Sequence, residues 1–353
     1  MGNVEEKITK AFEAFNKKDF RTSFEIFKPL AEQGDAKAQF NLGFLYRIGK
    51  GVKQDYHEAY HWYSLAAKQG YAEAQYKIGL MYYKGQVVSQ DYQKAFKWYS
   101  LAAKQDDPKA QFNLGVLYRR AQGAAQDHQQ AFKWFLLAGE RGYPRAQFTL
   151  GGIYANGEGV SQDYQKALKW YLLAARQGYV DAQHNLGWMY YHGEGVVQNY
   201  QESFKWYSLA AEEGDIKAQF SLAVMYDNGH GVLQDYQKAF KWASLPAKKG
   251  DMKAQFFLGC LYEDGQGVTQ DYDEAVKWYS LAAEQGDTMA QCNLGHLYAD
   301  EQTGNQNFIK AHKWFSIAGA KERETIEKLM DPNQIAEAQK LAKEWIKKYI
   351  KNN

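Results

Sequence analysis

The sequence predicts an all-α solenoid, a stack of helical hairpins sharing one continuous core. Three rulers of 36 residues predict it. An Ala-Gln pair begins at Ala38, Ala74, Ala110, Ala146, Ala182, Ala218, Ala254 and Ala290. Trp recurs at Trp62, Trp98, Trp134, Trp170, Trp206, Trp242, Trp278 and Trp314, and Tyr at Tyr46, Tyr82, Tyr118, Tyr154, Tyr190, Tyr226, Tyr262 and Tyr298. Three residue types in step eight times over residues 35–322 define eight units, each touching only its neighbours.

Residues 3–34 come first and read as a degenerate capping hairpin. Asp19-Phe20 stands where the later units carry Asp-Tyr, and Ala31-Glu32-Gln33-Gly34 matches their helix ending. In the first complete unit, Ala38, Leu42, Leu45 and Tyr46 put an apolar stripe on helix A. Gly49-Lys50-Gly51-Val52 ends that helix, because glycine accepts the positive φ of a helix terminus. Asp55 is placed to cap helix B, whose buried stripe is Ala59, Trp62, Tyr63, Ala66 and Ala67, with Gly70 as its stop.

Gly43 lies inside helix A and recurs in every unit except one, which carries Ala223. Glycine there is unfavourable by about 1 kcal/mol relative to alanine, so a neighbouring helix must come too close for a side chain. Pro108, Pro144 and Pro332 fall in first turns, where a missing N–H does no harm. Pro246 replaces an alanine within helix B and predicts a kink or an early end. Residues 323–353 close the chain with a capping segment. Its helix spans about 332–350, with Ile335, Ala338, Leu341, Ala342 and Trp345 on one face.

Composition narrows the function. The net charge is +2, from 43 Lys+Arg against 41 Asp+Glu, so nothing points to nucleic acid, whose binding leans on clustered cations. Two cysteines make no disulfide framework, and no apolar run is long enough to span a membrane. The polar start lacks the apolar stretch of a signal peptide, which reads as cytoplasmic; a periplasmic or secreted location follows if an export signal precedes the natural chain. Met1-Gly2 opens like a myristoylation signal, but Glu6 occupies its Ser/Thr position.

The string AQFNLGFLYRIGKGVKQDYHEAYHWYSLAAKQG, Ala38 to Gly70, strongly resembles the Sel1-like repeat, a relative of the tetratricopeptide repeat. The resemblance covers residues 35–322. It implies a right-handed α/α superhelical solenoid of about nine helical hairpins, eight of them full repeats, plus the C-terminal capping helix. It also implies a non-enzymatic scaffold that binds a protein or peptide in a groove lined by the A helices, without cofactors. The compact units and short loops resemble those of bacterial members. Two other roles known in such proteins stay open: a secreted or periplasmic host-interaction or toxin-immunity protein, and a β-lactam hydrolase-like enzyme. The cysteine-rich relatives associated with β-lactams carry a cysteine pair in every repeat, which this chain lacks.

Several motifs carry other chemistry. His57-Glu58-Ala59-Tyr60-His61 has the H-E-x-x-H spacing of a zinc protease. Yet the slots of His57 and His61 hold Gln and Lys in other units, as a solvated face does, and no third ligand is evident. Cys260, Cys292 and His296 are a metal candidate, since register puts them on adjacent A helices; the alternative is reduced cysteines packed as small hydrophobes.

Function belongs where the units differ. In the first unit the inward slots are Lys37, Phe40, Phe44, Arg47 and Ile48. Across the array these slots give Arg47, Tyr83, Lys84, Arg119 and Arg120, then His184, Trp188, Tyr191 and His192, then Asp227, Glu263, Asp264 and Asp300. This order of basic, aromatic and acidic side chains predicts an extended peptide partner. Trp188, which the repeat does not require, is its anchor, because Trp, Tyr and Arg dominate interface energetics.

Overall fold

The computed structural model describes residues 4–349, and every regular element among them is helical. Met1-Gly2 and the expected end of the last helix at residue 350 lie outside them. Two compact units divide the chain, one ending at Tyr179 and the other beginning at Val180. The first contains α1 (Val4–Asn16), α2 (Phe20–Glu32), α3 (Ala36–Ile48), α4 (Tyr56–Lys68), α5 (Ala72–Lys84), α6 (Tyr92–Ala103), α7 (Pro108–Arg119), α8 (His128–Glu140), α9 (Pro144–Asn156) and α10 (Tyr164–Ala175). The second contains α11 (Val180–His192), α12 (Tyr200–Glu212), α13 (Ile216–Asn228), α14 (Tyr236–Lys248), α15 (Met252–Asp264), α16 (Tyr272–Glu284), α17 (Thr288–Ala299), α18 (Phe308–Ala318), α19 (Glu322–Glu327) and α20 (Pro332–Tyr349). Within each unit consecutive helices pair into hairpins, and each hairpin packs on the next.

The recurring glycine and the recurring aromatic of helix B are one device. A Cβ on Gly43 would stand 3.0 Å from the Tyr63 ring and 3.1 Å from the Ala59 carbonyl oxygen. The same collision, at 2.4–2.7 Å, faces Gly79 with Tyr99, Gly115 with Phe135, Gly151 with Tyr171, Gly187 with Tyr207, Gly259 with Tyr279 and Gly295 with Phe315. The exception completes the rule. Where Ala223 replaces the glycine, the opposing aromatic has become Ala243, and both are fully buried.

The glutamine of each Ala-Gln pair is buried, which the sequence alone does not reveal. Gln39 Nε2 donates to the Ala31 carbonyl at 3.1 Å, and Gln75, Gln111, Gln147, Gln219, Gln255 and Gln291 repeat the bond eight residues back. Each is a second donor to a carbonyl at the end of the preceding helix B, which also accepts a backbone N–H from the turn that follows. Gln69 Nε2 then donates to Gln39 Oε1 at 2.8 Å, so the amide works in both directions.

The loop glycines do a second job. Gly51 has φ 75°, and a Cβ there would stand only 2.1 Å from the Phe20 carbonyl oxygen. The loop of one hairpin thus lies flat on the start of the previous helix B. Val87 occupies the equivalent slot at φ 69°, a conformation that is strained for a β-branched residue. Pro246 does not end its helix early: α14 continues to Lys248 with the proline buried inside it. A proline third from the end removes one hydrogen bond, and packing on both sides holds the last turn.

Aspartates cap the helices as expected. Asp55 Oδ1 accepts from the His57 and Glu58 N–H groups at 2.8 and 3.1 Å. Such bonds hold the carboxyls of Asp55, Asp91, Asp163 and Asp235 below the ordinary aspartate value. A depressed folded pKa contributes stability above the unfolded value and loses it as pH falls through the folded one. The urea midpoint is therefore expected to fall below about pH 4. Asp107 opposes this in part, since burial raises its pKa. Changing the four caps to Asn, the residue already capping α12 and α18, should preserve the fold at neutral pH and flatten the acid limb. An unchanged acid limb would refute the assignment.

Candidate functional site

In the first unit, α5, α7 and α9 present one side to a hollow of about 430 Å³. Tyr83 and Lys84 line it from the end of α5, Arg119 and Arg120 from the end of α7, and Arg145 from the first turn of α9. Tyr76, Phe112 and Phe148 make its aromatic floor. Four of the predicted residues thus share one wall, and Arg145 joins them. The Arg145 guanidinium lies over the Phe112 ring at 5.0 Å, and that of Arg119 over Phe135 at 5.5 Å. Stacking holds these planar cations in place while leaving N–H donors for a ligand. Arg120 Nη1 stands 3.5 Å from the Tyr83 hydroxyl. Among the described residues, the carboxylate within 4.0 Å of any of these four cations is Glu158, at 4.0 Å from Arg119.

Arg47 does not belong to this hollow. Its guanidinium lies over the Phe44 ring at 5.0 Å, and its Nε is buried without a hydrogen-bond partner. Burial pushes the nearby Tyr63 hydroxyl up to about 12, an effect that Arg47 opposes.

In the second unit, Trp188, Tyr191 and His192 of α11 line a hollow of about 180 Å³ with Tyr207, Phe220 and Val224. Trp188 keeps 39% of its surface exposed, and its ring lies 4.7 Å from that of His192. Tyr191 is held from behind, its hydroxyl 2.9 Å from His230 Nδ1, while His230 stacks on Tyr200 at 4.4 Å. His184 sits beside the hollow, against the Tyr207 ring at 5.6 Å.

The acidic set is less uniform than its spacing suggests. Glu263, Asp264 and Asp300 line a hollow of about 560 Å³ with His296, and Asp227 is not among its walls. Burial, and then Asp264, raise the pKa of Asp227. The Glu263 carboxylate accepts the Tyr279 hydroxyl at 2.6 Å, and Asp300 accepts the Gln302 N–H at 2.9 Å. Two of the four acids therefore serve the fold.

The metal candidate requires correction. Cys260 is half-buried beside the Tyr279 hydroxyl at 3.3 Å, and burial pushes its thiol up to about 11, the neutral form. His296 is exposed against the edge of Phe315. Both cysteines are free, and among the described residues no three His, Cys, Asp or Glu side chains converge as a metal site requires. Register puts Cys260, Cys292 and His296 on neighbouring helices, but the three do not gather into one ligand set. His57 and His61 are exposed and belong to no such group, while Glu58 accepts the Trp62 indole N–H at 3.0 Å. Among the described residues no helix is long and apolar enough to cross a membrane.

Comparison with known proteins adds the family. The Sel1 repeat pattern matches residues 36–71, 72–107, 108–143, 144–179, 180–215, 216–251, 253–287 and 288–321. The structure of c5321, a protective antigen of uropathogenic Escherichia coli with an SLR fold, is similar at 31% identity and TM-score 0.64, over 92% of this chain and 95% of that one. A Sel1 repeat protein from Oxalobacter formigenes is similar at 35% identity and TM-score 0.59, over 83% of this chain and 89% of that one. No curated protein sequence matches the chain. With eight matched repeats laid over the hairpins of both units, the chain belongs to the Sel1 repeat family.

Proposed function

We propose that the chain is a non-enzymatic scaffold that binds a peptide or partner protein through the A-helix walls of its hairpins. Proteins of this family are in general protein-interaction scaffolds. The observation that carries the finer reading is the basic hollow: Lys84, Arg119, Arg120 and Arg145 on an aromatic floor, facing little negative charge of the protein's own. That chemistry suits an acidic or phosphate-bearing segment, which guanidinium groups grip with paired N–H donors. The hollow at Trp188 suits an apolar side chain. Asp264, exposed on the acidic wall, suits a basic one.

Short labelled peptides of acidic, phosphorylated, apolar and basic composition test this by fluorescence anisotropy. Acidic or phosphorylated peptides should bind with an affinity that falls as salt rises. The Arg119→Glu/Arg145→Glu pair should lower their affinity at least about tenfold, with Trp188→Ala lowering that of apolar-anchored peptides comparably. Equal binding of basic peptides, or affinities unmoved in variants with normal helical content, would refute the reading.

A second reading is that the same surface meets a foreign partner outside the cytoplasm. It rests on the E. coli relative being a protective antigen. Fractionation of the native host with an antibody against this chain tests it; confinement to the cytosolic fraction would exclude it.

A further inference from the structure

The first unit holds another cavity, of about 280 Å³, beside the basic hollow and sharing only Tyr76 with it. Phe12 and Phe15 of α1 and Phe40 and Phe44 of α3 make its walls. A body the size of one large side chain fills such a volume, and four benzyl faces favour an aromatic or alkyl one. Its mouth carries Lys77 and Lys109 against Glu73 and Asp107, so formal charge does not decide its preference.

The partners of those charges do. Asp107 is engaged as the cap of α7, accepting the Ala110 N–H at 2.7 Å. Glu73 lies against Tyr71, whose hydroxyl burial, aided by that carboxylate, pushes up to about 12. Lys77 has no such partner. Its ammonium lies over the Tyr76 ring at 5.5 Å and, among the described residues, forms no ion pair. Burial first, and then the like charges of Arg47 and Lys109, hold its pKa below the ordinary lysine value, with the Asp107 carboxylate opposing them in part. A half-buried cation that forms no ion pair, and whose nearby carboxylate Asp107 is already engaged as a helix cap, is short of counter-charge at the lip of an apolar cavity.

We propose that this cavity binds a small organic anion, its aromatic or alkyl body among the phenylalanines and its carboxylate or sulfonate facing Lys77 and Lys109. The site goes beyond the peptide-binding reading and does not depend on it.

Calorimetric titration of the full chain tests it with 4-phenylbutyrate, anilinonaphthalene sulfonate and 4-phenylbutylammonium. Both anions should saturate a single site, with the ammonium at least about tenfold weaker, because Asp107 and Glu73 are already engaged while Lys77 has no ion pair to give up. Lys77→Gln should weaken the anions at least about fivefold without lowering the melting temperature, since it removes an unpaired half-buried charge. Asn41→Trp, which adds bulk from the cavity wall, should abolish binding, and the exposed Lys133→Gln should leave it unchanged. Equal affinity for the ammonium, or anion binding unmoved by Lys77→Gln, would overturn the proposal. So would a terminally blocked Phe-Glu peptide that binds where 4-phenylbutyrate does not. Since the probes are not peptides, failure here leaves the peptide titrations standing, and the reverse is also true.

Discussion

Gly115→Ala should destabilise the protein in its natural background and stabilise it when Phe135 has been changed to Ala. A Cβ added at Gly115 would stand 2.7 Å from the Phe135 ring and 3.1 Å from the Ala131 carbonyl, so rotating the ring alone cannot clear it. Overpacking of this kind costs about 1–3 kcal/mol, against about 1 kcal/mol gained from replacing a mid-helix glycine. Phe135 is fully buried, and Phe135→Ala alone should cost about 3–5 kcal/mol. In that background only the 3.1 Å approach to the Ala131 carbonyl remains, which a shift of a few tenths of an ångström relieves, so the helical gain of about 1 kcal/mol prevails. Urea unfolding of the four proteins reads the cycle directly. The chain already contains the end state in its Ala223–Ala243 pair. If Gly115→Ala has the same sign in both backgrounds, glycine and aromatic are not the coupled device described here.

The second large effect belongs to the loops. A Cβ on Gly231 would lie 2.2 Å from the Tyr200 carbonyl oxygen, and its φ is 72°. The obstacle is backbone, which no rotamer change can move. Gly231→Ala should therefore cost about 3 kcal/mol, from overpacking plus about 1–2 kcal/mol for a side chain in the left-handed region. Val87→Gly is the mirror experiment: it should raise stability by about 1 kcal/mol as the left-handed strain is relieved. A thermal midpoint unchanged in both variants would mean that these loops adjust freely.

What is legible in the sequence is whatever the repeat imposes locally. Asp55 as a cap, Gly49 as a helix stop and Tyr63 as core each depend on a few residues of one hairpin, and each copy repeats the message. Pro246 misleads because propensity weighs one helix alone, whereas α14 is held by neighbours on both sides. The burial of Gln39 is hidden, because its partners lie eight residues back and thirty residues on. Tyr83, Lys84, Arg119 and Arg120 can be grouped by register, since they recur at the ends of α5 and α7. Arg145 stands in the register of Lys37, an inward slot, and is equally legible there although the predicted set leaves it out. The phenylalanine cavity is invisible because its walls combine the irregular first hairpin with a regular one, and no ruler spans both.

The glutamine clasp bears on how such a chain can change length. Gln111 grips the carbonyl of Ala103 and Gln147 that of Gly139, so the seams before and after residues 108–143 use the same chemistry. A duplicated copy of that segment, spliced in tandem, would meet the same donors and acceptors at both junctions. Whole-module insertion should then be nearly silent for folding, whereas gain or loss of a few residues breaks the seam, a bias that favours growth by gene duplication.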